Sequence, residues 1–309
     1  MKDIQNKPLV SVITINYDQP EVTCALLESL RKITYTPIEI IVVDNASPTK
    51  EPDPIKEQYP EIHLIRSDKN LGFAGGNNIG IKAATGEYFL LINNDTEVEP
   101  DFLEPLVSKL ESDFNIGAVS PKIRYFNQKE LIQFAGYTEM NPVTIRNQGI
   151  GFQEIDRGQY DQDAPTYFLF GAAMLIPRRI FQKVGLMADI FFLYYEEIDW
   201  FHRIRNAGYQ LYYIHNSLVY HKDSVTTGSG SPMKIYYLNR NRLLYMRRNT
   251  HGLIFVIGIF YQFFVAIPKN SIMFLLTGGF SFFRAYMKAI GWHLSHLNNH
   301  QIFLSPSLD

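Results

Sequence analysis

One cysteine in 309 residues, Cys24, excludes an internal disulfide and any zinc site built from several thiolates. It falls in a helical pattern with Val22, Ala25, Leu26 and Leu30, which reads as an inert buried thiol. A net excess of either charge is missing too. The chain carries 29 Lys and Arg against 31 Asp and Glu, a formal net charge of -2. No global basic field results, so nucleic acid is not an expected partner. The sequence has no internal repeat, no low-complexity tract and no G-x-x-x-x-G-K phosphate loop. Residues 1–8 are polar and lead straight into a strand without a secretory pattern, so the expected setting is the cytoplasm.

What is present is apolar content, 46% of the chain, enough for one large domain or two closely joined ones. Val10-Ser-Val-Ile-Thr-Ile15, Ile38-Glu-Ile-Ile-Val-Val43, residues 62–65 and residues 88–92 read as strands. Helical patterns cover residues 21–31 and 77–85, the second closed by Gly86. Strands alternating with helices at this spacing imply βαβ units and a largely parallel sheet. From about residue 120 to 165 short aromatic strands and charged loops replace the helical periodicity. An apolar strand is expected over residues 167–176, then a helix from near Glu196 closed by Gly208. Residues 232–249 form a basic helix with Lys234, Arg240, Arg242, Arg247 and Arg248. Residues 252–267 are almost wholly apolar, Pro268-Lys269-Asn270 interrupts them, and residues 271–283 are apolar again.

Polar clusters punctuate the strand ends: Asn16-Tyr17, Asp44-Asn45-Ala46-Ser47, residues 69–78 and Asn93-Asn94-Asp95. One such cluster is an Asx turn. Several on one edge of a parallel sheet resemble a nucleotide site, with Asp44 placed to accept from a base or ribose and Asp95 able to hold a hard cation. Gly72, Gly75 and Gly76 would let backbone approach a ligand ahead of the helix near Asn77. Their spacing is wrong for G-x-G-x-x-G.

Three acids, Glu196, Glu197 and Asp199, follow an aromatic loop at a helix start. They can complement the helix dipole, or one can act as a base whose pKa apolar surroundings raise. Glu196 and Asp199 share a face, with Glu197 about 100° away. His221 ends an apolar strand as a structural residue or a ligand; His202 and His215 read as structural.

In ordered combination these segments resemble glycosyltransferase family 2, in its rhamnosyltransferase-like bacterial branch. The matching residues are Val10-Ser-Val-Ile-Thr-Ile-Asn-Tyr17, Ile41-Val-Val-Asp-Asn-Ala-Ser47, Asn70-Leu-Gly-Phe-Ala-Gly-Gly-Asn-Asn78 and Leu91-Ile-Asn-Asn-Asp-Thr96. Phe170-Gly-Ala-Ala-Met-Leu-Ile-Pro177, Tyr195-Glu-Glu-Ile-Asp-Trp200 through Gly208-Tyr209, and His221 with Ser224 complete the set, which spans residues 8–227.

The resemblance implies a GT-A fold: a nucleotide-binding, mostly parallel sheet flanked by helices, with a C-terminal helical extension. It divides the chain into a nucleotide-sugar half (8–120), an acceptor half with the catalytic base (121–230) and a basic and apolar helical region (231–309). It implies an inverting transferase that moves a sugar from a nucleotide-diphosphate donor to a glycan or lipid-linked glycan. Asp95 and His221 would hold a divalent metal, magnesium or manganese, on the donor diphosphate. Asn16, Asp44, Asn45, Asn70, Gly72, Gly75, Asn77 and Asn94 would bind the nucleotide. Glu197 would be the base, with Glu196 and Asp199 as supporting acids. The family usually has aspartate at position 197, and the extra methylene of glutamate changes its reach. A sugar nucleotidyltransferase would need a glycine-rich basic loop after the first strand, where this chain has Asn16-Tyr-Asp-Gln-Pro20. A non-catalytic, membrane-associated sugar-binding relative would be expected to lack Asp95 or the acids. The broken apolar stretches after a basic helix suggest a hairpin at the inner face of the plasma membrane, with arginines at the headgroups, or else a helical cap on the core.

Overall fold

The computed structural model describes residues 7–222, 231–277 and 279–308. The first half runs β1 (Val10–Asn16), α1 (Pro20–Leu30), β2 (Ile38–Asp44), α2 (Asp53–Gln58), β3 (His63–Arg66), α3 (Gly72–Ala83) and β4 (Tyr88–Ile92). Then come β5 (Thr96–Val98), α4 (Leu103–Ser112), β6 (Ile116–Tyr125), β7 (Ile132–Phe134), β8 (Ala164–Thr166) and β9 (Ala173–Pro177). The remainder is α5 (Arg178–Val184), α6 (Glu196–Asn206), β10 (Gln210–His221), α7 (Pro232–Asn249), α8 (Gly252–Tyr261), α9 (Ile267–Thr277) and α10 (Gly279–Ser295).

The strands form one mixed sheet in the order β3-β2-β1-β4-β9-β6-β10-β5, with β7 beside β6 and β8 beside β10. β1 pairs in parallel with both β2 and β4, and β10 in parallel with β6. β9 runs antiparallel to β4 and to β6, and β5 antiparallel to β10. Alternate residues of β4 serve opposite cores: Leu90 and Ile92 on one face, Phe89 and Leu91 on the other. A strand buried on both faces has no solvent side to alternate against, which is why it reads as an unbroken apolar run. The chain leaves β1 for β2 on one side and returns to β4 on the other. That reversal opens a crevice at the carboxyl ends of β1 and β4.

Several expected boundaries move. The glycine segment is not a loop ahead of the helix but the first turns of α3, which starts at Gly72. The strand expected over residues 167–176 is confined to β9, because irregular backbone occupies the residues before Ala173. Neither α2 nor α4 was marked by periodicity: α2 has six residues, and Pro105 lies in the first turn of α4.

The C-terminal region departs most from expectation. Pro268 does not break the apolar stretch. A π turn, Gln262–Ala266, joins α8 to α9 in a single helix from Gly252 to Thr277. Proline lacks an N–H and crowds the carbonyl one turn back; the wider π turn just before it makes room for the ring. The arginines of α7 do not face outward either. Arg240 and Arg248 bond the protein interior, and Arg247 donates to the carbonyls of His296 and Leu297.

Candidate active site

The crevice is a cavity of about 400 Å³ whose wall includes Asn45, Asn70, Gly72, Asn94, Asp95 and His221. Antiparallel pairing of β10 with β5 sets His221 opposite Thr96, and the Lys222 N–H donates to the Asp95 carbonyl at 2.8 Å. This register brings His221 Nε2 to 3.1 Å from Asp95 Oδ1, both side chains being buried. On its other side, His221 Nδ1 meets Gln133 Oε1 at 2.8 Å. An amide oxygen only accepts, so the ring proton belongs on Nδ1. The Nε2 lone pair of the neutral ring then faces a buried carboxylate oxygen that has no hydrogen-bond donor. A metal ion held by both would satisfy Nε2 and Oδ1 together, as a proton between them also would, and Gln133 fixes the ring as an outer partner of a ligating histidine does. These residues fit a divalent ion. Among the described residues no third imidazole, thiol or carboxylate joins them, which leaves coordination positions for phosphate and water.

The nucleotide-side residues divide into a wall and a layer behind it. Asn45 holds the start of α3: its Oδ1 accepts from the Leu71 N–H at 2.9 Å and its Nδ2 donates to the Gly72 carbonyl at 3.0 Å. Asn77 also lines the cavity, its Nδ2 on the Phe73 carbonyl. Asn16 and Asp44 lie behind. Asn16 Nδ2 donates to Asp44 Oδ1 at 2.7 Å, and Ser47 Oγ donates to the same oxygen at 2.6 Å. Thr23 links Asn16 to Asn94, which does reach the cavity. Packing leaves no room for a side chain at Gly72 or Gly75. A Cβ on Gly72, at φ +69°, would collide with the Phe192 carbonyl, and one on Gly75 would lie 2.6 Å from Leu71 Cβ.

The three acids prove unlike one another. Asp199 is fully buried, where burial alone would raise its pKa. Arg248 at 2.7 Å, with Arg203 and Asn249, instead holds it below the usual carboxylate range. These contacts make it an anchor between α6 and α7. Glu196 and Glu197 each keep one buried carboxylate oxygen without a partner. Burial pushes Glu197 up to about 7, and burial together with the neighbouring Glu197 lifts Glu196 well above the ordinary value. Glu197 lies just outside the cavity lining, its Oε1 3.8 Å from where a Cβ on Gly171 would sit, next to Phe170 of the wall. As helical spacing implied, Glu196 and Asp199 share the buried face while Glu197 is half-buried.

Sequence reasoning missed Gln133 and Lys234. Gln133 sits between Ile132 and Phe134 in a fully buried strand, and a polar residue in such a run needs a partner, which was the available signal. Lys234 was counted as part of a basic helix, but it lines the cavity at the start of α7. Ser224 lies outside the described residues.

Comparison with known proteins agrees with this geometry. The sequence profile of Glycosyl transferase family 2 matches residues 11–185. The chain is 26% identical over 242 residues to the low-salt glycan biosynthesis hexosyltransferase Agl10 of Haloferax volcanii, covering 76% of this chain and 74% of that one. It is 24% identical over 241 residues to the N-acetylglucosaminyl-diphospho-decaprenol L-rhamnosyltransferase of Mycobacterium tuberculosis, covering 71% and 78%. The crystal structure of GalNAc-T7 with UDP, GalNAc and Mn2+ superposes with a TM-score of 0.66 at 16% identity. That match covers 94% of this chain and 58% of GalNAc-T7, and it shows a shared GT-A fold.

Proposed function

This chain belongs to glycosyl transferase family 2, and from that membership we propose an inverting, metal-dependent transfer of a sugar from a nucleotide-diphosphate donor to a glycan or lipid-linked glycan. The reaction would serve assembly of a cell-surface polysaccharide. The facing pair of Asp95 and His221 at the carboxyl edge of the sheet is the observation that carries this reading.

A bound divalent ion, magnesium or manganese, would offset charge developing on the leaving diphosphate. Asp95 and His221 would hold it, with Gln133 keeping the imidazole oriented. Asn45, Asn70, Asn77 and Asn94 offer amide donors and acceptors to the nucleotide along the wall, with Asn16 and Asp44 stiffening that wall from behind. Fixing the nucleotide would place the anomeric carbon for attack, where much of the barrier reduction arises. Glu197 would take the proton from the acceptor hydroxyl as its oxygen attacks from the face opposite the diphosphate. A carboxyl whose pKa is about 7 is half ionised near neutral pH and basic enough to accept that proton.

On this reading, residues 8–120 bind the donor, residues 121–230 supply the base and bind the acceptor, and residues 231–309 meet the membrane. One continuous sheet serves both catalytic halves. The helix from Gly252 to Thr277 is long and apolar enough to cross a bilayer by length and composition. Its 26 residues span about 39 Å against a hydrocarbon core of about 30 Å. Anchored there at the cytoplasmic face, the site would meet acceptors carried on lipid. The name of the mycobacterial relative, which includes a diphospho-decaprenol, supports an acceptor of that kind. Incubating purified protein with a panel of nucleotide sugars and scoring nucleotide release tests the proposal. Release from one or a few donors supports it, and no release from any, with metal and membrane extract supplied, contradicts it.

A further inference from the structure

We propose that Arg240 and Asn241 of α7 are positioning residues for Glu197, locking the backbone turn from which α6 begins. The proposal rests on the reading of Glu197 as the base. The turn is conformationally costly: Phe192, Tyr194 and Tyr195 all adopt positive φ, at 65°, 69° and 73°. Bulky residues seldom occupy that region, and such strained backbone persists only where its surroundings enforce it.

The enforcement comes from two side chains. Asn241 Nδ2 lies 2.9, 2.7 and 2.7 Å from the carbonyls of Phe191, Leu193 and Tyr194, which share its two N–H bonds. Arg240 Nη2 donates to the carbonyls of Ile190 and Phe191 at 2.7 and 2.6 Å. Arg240 Nε in turn holds Asn241 Oδ1 at 2.7 Å, which aims the amide. The remaining carbonyl, that of Phe192, accepts from the Phe73 N–H at 2.6 Å. Every carbonyl from Ile190 to Tyr194 thereby has a donor within the protein. Both clamp residues are buried, and the guanidinium lies over the rings of Tyr237 and Trp292.

Glu197 is in the first turn of α6, directly after this segment. Releasing the clamp lets the turn relax toward ordinary φ and carries that first turn with it. Displacement of about 1 Å is enough to cost about a hundredfold in rate. The charged and titratable groups facing the acid pair are Glu196 on the same helix, Tyr137 beside Glu197 and Arg240 beside Glu196. Burial is the dominant influence on Glu197, so water admitted by a loosened turn draws its carboxyl back toward the ordinary carboxylate range.

The test uses full-length Asn241→Ala and two readings that do not involve sugar transfer. Deuterium exchange in peptides covering residues 189–199 should speed up by about tenfold or more, with β1 and β4 unchanged. The Glu197 δ-carbon resonance, assigned by its loss in Glu197→Gln, should titrate below its native midpoint. Unchanged exchange and an unchanged midpoint would overturn the proposal. If Asn241→Ala loosens the whole sheet, Arg240→Lys decides, since it keeps a cation but loses the planar fork; the same two local changes are expected. Loss of protection across the sheet in both variants marks a purely fold-supporting role and also overturns it. Retention of transfer by Glu197→Gln would remove the base reading instead, and leaves both loop readings standing.

Discussion

His221 Nε2 lies 3.1 Å from Asp95 Oδ1, and the β10–β5 pairing is what sets that distance. Because Gln133 orients the ring, the pair should respond in graded fashion. His221→Ala should raise the metal concentration needed for half-maximal rate. Gln133→Leu should do the same more mildly, within the range of about 10–100-fold typical of outer-partner losses. A metal titration unchanged in His221→Ala would make His221 a structural residue.

Glu197→Gln should retain donor binding and stop transfer, because the amide keeps the shape but cannot take the proton. Glu196→Gln should be milder, and the ordering is the test. In the wild type, kcat/KM should rise with pH through about 7 as Glu197 ionises. A flat profile across that range would contradict its role.

The same shift bears on stability. The folded-state value of Glu197 lies above its ordinary one, so its contribution is fully present below about pH 4.5 and is lost as pH rises through about 7. Glu197→Gln cannot ionise. Its melting temperature should therefore gain on the wild type as pH rises from about 5 to 8. An advantage that shrinks over that window would show that the carboxyl is not buried as described.

Asp199→Asn should behave in the opposite way. It leaves Arg248 and Arg203 without their shared carboxylate, a loss of about 3–5 kcal/mol for a broken buried pair. Activity per folded molecule should change little. A variant with full stability and abolished transfer would return Asp199 to the chemistry.

The apolar helix from Gly252 to Thr277 exposes Phe260, Phe264 and Leu276, the last at 80%. Full-length protein should float with lipid vesicles and stay bound at about 1 M salt, where screening shortens electrostatic reach to about 3 Å. The α7 arginines are engaged within the protein, so salt has little left to weaken. Replacing Phe260, Phe264 and Leu276, three of its many exposed apolar residues, with glutamate should release the protein. Wild-type protein that stays free of vesicles would rule out membrane attachment by this helix.

The site was legible where chemistry sits at strand ends. Asp95 follows a strand whose apolar run stops abruptly, and such a stop shows in the sequence. The order β1, α1, β2, β4 was equally visible, since parallel strands buried on both faces leave unbroken apolar runs. What stayed hidden depends on contacts distant in sequence. Asp199 looks like its neighbours until Arg248, 49 residues on, pairs with it. Gln133 gains meaning only opposite His221, and Asn241 only against the Phe191–Tyr194 carbonyls. Pro268 misled because a π turn, which carries no local sequence mark, absorbs it.

Nucleotide release from the donor selected by the panel, measured for wild type and Asp95→Ala with divalent metal added or chelated, tests the metal pair most directly. The wild type should release nucleotide only with metal, and Asp95→Ala, folded as judged by its melting temperature, should lose about a hundredfold or more. Metal-independent release by the wild type, or more than about a tenth of its activity left in Asp95→Ala, would contradict the account.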